Sequence, residues 1–92
     1  MTRLLTAALV AAALAGPAGA ACLVEYKAKR DGPLRLHYGI IRLDEAGCRN
    51  PAPAVARRIA RDGWQLLTVM GKLSPAEAER RRSDAGAYFL RY

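Results

Sequence analysis

The spacing of apolar positions changes from one stretch of this chain to the next, and each change predicts an element. From Leu23 to Lys29, "LVEYKAK" alternates, with Val24, Tyr26 and Ala28 on one side and Glu25 and Lys27 on the other, the pattern of a half-buried strand. "RDGP", Arg30 to Pro33, reads as a turn. "LRLHYGIIRL" then alternates through Leu34, Leu36 and Tyr38, and after Gly39 the apolar phase moves to Ile41 and Leu43. A glycine at a phase shift predicts a β-bulge, so the second strand is expected to bend and to pair antiparallel with the first as a hairpin. His37 falls on the polar face of that strand.

"DEAGCRNPAP", Asp44 to Pro53, has the composition of a loop. From Ala54 the spacing becomes helical: Val55 with Ile59, and Ala56 with Ala60, form a stripe, with Asn50-Pro51 as the start and Gly63 as the stop. "WQLLTVM", Trp64 to Met70, is rich in strand formers and apolar on both faces, which predicts a central strand covered by the helix. "SPAEAERRRSDAG" opens on Ser74 as a cap, Pro75 at the first helical position and Glu77 completing a capping box, with Gly86 as the stop. Its apolar residues are alanines, so it is expected to bury little and to serve as a solvated connection. "AYFLRY" predicts a last strand with Tyr88, Leu90 and Tyr92 on one face. The order predicts an α+β fold, a small two-layer sandwich of a three- to four-stranded antiparallel sheet with one or two helices on one face.

The first twenty residues change where this domain is expected to work. A basic start at Arg3, an apolar run from Leu4 to Ala15 and the breaker pair Gly16-Pro17 before Ala18-Gly19-Ala20 have the layout of a secretory signal peptide, with cleavage expected after Ala20. A membrane-spanning helix needs roughly 20 apolar residues, more than this run offers. The chain is therefore read as a leader, 1–20, and one small domain, 21–92, with no transmembrane segment. A domain of that size buries little surface and usually needs a staple. Export to an oxidising compartment makes a Cys22–Cys48 disulfide the natural pairing of the only two cysteines. The alternative is a lipoprotein acylated at Cys22; Gly19 fits poorly where such signals carry a branched apolar residue, and acylation would leave Cys48 unpaired.

The chain carries 15 Lys and Arg against 8 Asp and Glu, and losing Arg3 with the leader leaves a net +6. That excess favours anionic partners through long-range attraction. In "SPAEAERRR" the arginines are expected to pair along their own helix, Glu77 with Arg80 and Arg81, and Glu79 with Arg82. Arg57, Arg58 and Arg61 have only Asp62 nearby, and Arg49 precedes them, so these four are the candidate anion-binding residues.

No catalytic set emerges. His37 is the only histidine, and the chain has no Cys-x-x-Cys or His-x-x-x-His, so neither a metal nor a cofactor is expected. Ser74 is read as a cap and not a nucleophile, and Asp44-Glu45 are neighbours in a turn rather than a positioned acid pair. Trp64, Tyr88, Phe89 and Tyr92 have faces on which bases or sugars could stack, but a core this small is expected to use at least two of them for packing, and no specific nucleic acid partner is expected.

The pieces "VEYKAK", "ARRIARDGWQLLTV" and "AYFLRY" resemble a small bacterial family known only as domain of unknown function 4177. Its order is a Tyr-Lys strand, a short helix, a Gly-Trp-Glu-Leu-x-x-Val strand and a closing Phe-x-Lys/Arg strand. Tyr26, Lys27, Gly63, Trp64, Leu66, Val69, Phe89 and Arg91 fall on those positions, about half of the chain after the leader. Gln65, the segment from Leu34 to Cys48 and the long connection from Gly71 to Gly86 depart from the pattern. The resemblance implies a fold and a core motif and carries no activity.

The sequence is thus read as an exported protein, periplasmic or secreted, that acts without catalysis by binding or within an envelope assembly. The expected partners are anionic envelope components or another envelope protein. The alternative is a small periplasmic enzyme or an enzyme inhibitor that presents the Asp44 to Pro53 loop.

Overall fold

The computed structural model describes residues 21–92, and the leader predicted over 1–20 lies outside the described residues. The fold is α+β, and the described residues build a three-stranded antiparallel sheet in the order β2-β1-β3 with four helices and one disulfide. β1 spans Cys22–Arg30 and β2 spans Arg35–Leu43. They form the predicted hairpin, in unbroken register from Cys22 opposite Leu43 to Arg30 opposite Arg35. α1 is Glu45–Arg49 and α2 is Pro51–Ile59, followed by a 3-10 turn over Ala60–Asp62. Gly63 closes that turn at φ 80°, a left-handed conformation that glycine adopts without steric penalty. β3 is Gln65–Leu73, α3 is Pro75–Arg80, α4 is Arg82–Ala85, and a last 3-10 turn covers Gly86–Tyr88.

One face of the sheet carries Val24, Tyr26 and Ala28 from β1 with Ile41 and Leu43 from β2, packed against Ala54, Val55 and Ile59 of α2 and against Trp64. The α2 stripe read from the sequence is therefore the stripe that is buried. The Cys22–Cys48 bridge joins the start of β1 to α1 at the border of this core. On the other face, Ile40 and Leu73 meet Ala78 and Ala85 of the C-terminal helices. Two of the three alanines expected to leave a solvated connection, Ala78 and Ala85, are thus buried, and Ala76 is exposed. Small side chains let a helix approach a sheet closely, and Leu23, Tyr38 and Phe89 pack around this cluster.

Several expectations are corrected. The Asp44 to Pro53 segment is helical rather than loop, because Asp44 caps α1 through its side chain on the Gly47 amide and Pro51 opens α2. β3 is an edge strand and not the central one; β1 takes the centre, and Leu67 and Met70 stay exposed. Bulges occur in β3 rather than at Gly39: Glu25 faces Gly71 while Tyr26 faces Val69, leaving Met70 extra, and Leu67 is extra in the same way between Thr68 and Leu66. The buried phase of β2 is His37, Gly39, Ile41 and Leu43, so Leu34 and Leu36 face solvent. "AYFLRY" forms no strand. Its backbone pairs with β2 in one parallel bridge between Ile40 and Phe89, where the Leu90 amide donates to the Ile40 carbonyl at 2.8 Å.

Gly39 has a steric task instead of a conformational one. A Cβ there would lie 2.5 to 2.8 Å from the ring and hydroxyl of Tyr26 on the neighbouring strand. Tyr26 is fully buried, so its ring would have to shift within the packed face. Gly39→Ala is expected to destabilise the fold by about 1–3 kcal/mol through overpacking, read as a lower urea midpoint. An unchanged midpoint would mean that the ring swings aside freely.

Candidate functional site

α2 is amphipathic at helical spacing, so burying Val55 and Ile59 turns Arg57 to the solvent side, and Arg61, on the 3-10 turn that follows, is exposed as well. With Arg58 they line a recess of about 500 Å³ between α1 and α2, floored by Leu43, Gly47 and Ala54. Asp44 is the one carboxylate on its wall, and its Oδ1 already accepts from the Gly47 amide at 2.9 Å. Asp62, the acid expected beside these arginines, accepts instead from the Tyr92 hydroxyl at 2.7 Å. Arg58 donates to the Arg42 carbonyl and to the Tyr92 backbone oxygen. Arg57 and Arg61 form no ion pair among the described residues. Arg49 stands apart from the other three, in an exposed pair with Glu45 at 3.3 Å. Three of the four candidate residues are thus brought together, and the fourth is not.

The arginines of the C-terminal helices are more engaged than their sequence suggests. Arg82 pairs with Glu79 as expected, at 2.8 Å. Arg81 does not pair with Glu77; its Nη1 lies 2.7 Å from both carboxylate oxygens of Glu25 on β1, and the Tyr38 hydroxyl donates to the same group at 3.0 Å. Glu77 is held by Ser74 in the predicted capping box. Glu25, on the polar side of the β1 alternation, is therefore buried with partners.

His37 is not on a polar face. It is 8% exposed and sits in an aromatic cluster: stacked on Tyr88 at 3.7 Å between ring centres, edge-on to Trp64 at 4.2 Å and to Tyr26 at 5.3 Å, with Tyr92 beyond. Its Nε2 hydrogen-bonds the Tyr26 hydroxyl at 2.9 Å, and its Nδ1 is buried without a partner. Burial, with a smaller contribution from the Arg30 guanidinium, pulls the imidazole down to about pKa 4. Burial also pushes the Tyr26 phenol up. Near neutral pH both groups are therefore held in their neutral forms. Arg30 lies over the Trp64 ring at 4.4 Å and donates to the Asp62 carbonyl, closing the cluster at its outer end.

Of the aromatic residues, Trp64 is buried and Tyr88, Phe89 and Tyr92 are half-buried as packing. Sequence reasoning missed the Tyr26–His37 pair; the signal was the alternation of His37, Gly39, Ile41 and Leu43, which competes with that of Leu34, Leu36 and Tyr38. Among the described residues, no three His, Cys, Asp or Glu side chains gather at one point, and no helix is long and apolar enough to cross a membrane. Compared with family models, curated proteins and solved structures, the chain finds no match.

Proposed function

We propose that this protein is an exported binding domain that holds an anionic group, without catalysis, in the recess between α1 and α2. The observation that carries this reading is the convergence of Arg57, Arg58 and Arg61 on one concavity whose single carboxylate is already spent on a helix cap. Guanidinium groups free of carboxylates and set around a cleft are the chemistry that carboxylate, sulfate and phosphate groups fit. The leader-like first twenty residues and the disulfide support an envelope setting, where such groups belong to acidic polysaccharide, lipopolysaccharide or another envelope protein. The resemblance to domain of unknown function 4177 adds no activity. The Asp44 to Pro53 segment, which the inhibitor alternative would present, folds as α1 and the start of α2.

Heparin, a sulfated polyanion, provides the probe. Arg57→Gln with Arg61→Gln is expected to elute at clearly lower salt than Lys72→Gln with Arg80→Gln, a pair that removes the same charge from exposed positions elsewhere. Retention of all forms should weaken steeply toward physiological ionic strength, where screening acts within about 8 Å. Equal losses from the two pairs would show that net charge alone governs retention, and the recess would have no claim.

A further inference from the structure

The hairpin end of the sheet carries a second surface, distant in sequence from the arginine recess. On the sheet face away from α2, the C-terminal helices cover Ile40 and Leu73 but leave the end near the turn bare. Leu34 is 64% exposed at the tip, Leu36 67% on β2 and Leu67 52% at a bulge of β3. Leu36 and Leu67 flank Lys27 of β1 along a shallow groove. The cations here are Lys27, Lys29, Arg30 and Arg35, and Asp31 is the acid at the tip, 3.4 Å from Lys29. The surface is thus a projecting hairpin with apolar side chains at its end and a rim of mainly positive charge.

We propose that this hairpin end docks on an anionic lipid surface, with Leu34, Leu36 and Leu67 entering the headgroup layer and Lys27, Lys29 and Arg35 contacting lipid phosphates. Three features select this occupant. Large leucine side chains at a projecting turn are poorly placed to bury one another, whereas a bilayer accepts them without a shaped pocket. The cationic rim complements anionic headgroups, and each such residue adds to the attraction. A second copy of this chain would oppose rim to rim, and the bulges at Leu67 and Met70 twist β3 away from the straight edge that strand pairing requires. The proposal stands independently of the arginine recess.

The test is co-sedimentation of the oxidised protein with vesicles of equimolar phosphatidylcholine and phosphatidylglycerol, beside phosphatidylcholine alone. Binding is expected to the anionic vesicles and not to the neutral ones. The triple variant Leu34→Ser, Leu36→Ser, Leu67→Ser should weaken it at least about tenfold, since apolar insertion contributes beside charge. Lys72→Gln with Arg80→Gln, which removes two positive charges from exposed positions outside both surfaces, should leave it within about twofold. Circular dichroism and the urea midpoint verify that the variants remain folded. Three outcomes overturn the proposal: no binding to anionic vesicles, binding that the leucine variant retains, or equal loss from both variants. A concentration-dependent dimer that the leucine substitutions abolish, without vesicle binding, would assign the surface to a second copy instead.

Discussion

Removing the Cys22–Cys48 bridge is expected to cost this domain about 3.5 kcal/mol, the largest single effect that the structure predicts. The two cysteines are 26 residues apart, and closing a ring of that length removes that much conformational entropy from the unfolded chain in the loop-closure picture. Total stability of a small domain is about 5 kcal/mol or somewhat more, so most of it is at stake. The bridge also holds α1 against the start of β1, and α1 supplies one wall of the arginine recess. Cys22→Ser with Cys48→Ser should therefore shift the urea midpoint strongly and weaken heparin retention together. A midpoint within a few tenths molar of the parent would show that α1 docks without the bond. Intact mass of the protein from its native cell provides the companion check: residues 21–92 less two hydrogens is expected, and a diacylglyceryl group with Ala21 absent would place a lipid on Cys22 instead.

Acidification should destabilise the fold well before its carboxylates titrate. In the folded state His37 titrates near pH 4, because it is buried among Tyr26, Trp64, Tyr88 and Tyr92 with Arg30 as the nearest cation, whereas in the unfolded chain it titrates near 6.5. Between those values the unfolded chain binds a proton that the native state refuses. Stability is therefore full above about pH 6.5, falls as pH drops, and levels off for this group below about pH 4. The expected loss across the window is about 2–3 kcal/mol. Glu77 and Glu79, whose carboxyls are lowered chiefly by the Ser74 cap and by Arg82 respectively, act only at the acid end of this window and below. The measurement is the urea midpoint from neutral pH down to about pH 4.5, in the parent and in His37→Gln. A flat parent profile, or the same slope in the variant, would show that His37 is not the responsible group.

The arginine recess and the hairpin end place cationic chemistry on two surfaces with different shapes. One is concave and rigid, framed by two helices; the other projects and carries leucine. Separating them by substitution is straightforward because no residue belongs to both, and the two tests have different readouts.

What the sequence determined by itself is what depends on neighbours along the chain. The hairpin followed from two alternating runs around "RDGP", the α2 stripe from Val55 and Ile59, the capping box from Ser74 and Glu77, and the bridge from the cysteine count. Three of the four candidate anion-binding residues were legible for the same reason, since positions 57 and 58 lie on α2 and position 61 on the 3-10 turn that continues it. Period, however, does not say which side is inside. β2 is apolar in both phases, and only the packing of α2 and Trp64 on the His37 phase made that the core. "WQLLTVM" reads as a central strand because its composition is apolar, yet strand order depends on which neighbour pairs on each side, and β1 lies between the other two. The burial of Glu25 needed Arg81, fifty-six residues away, and the closing "AYFLRY" gave up strand pairing because its rings serve both faces, Tyr88 and Tyr92 on His37 and Phe89 near Ile40. These choices rest on contacts between segments far apart in sequence, whose energies exceed local propensity and leave no periodic trace in the residues themselves.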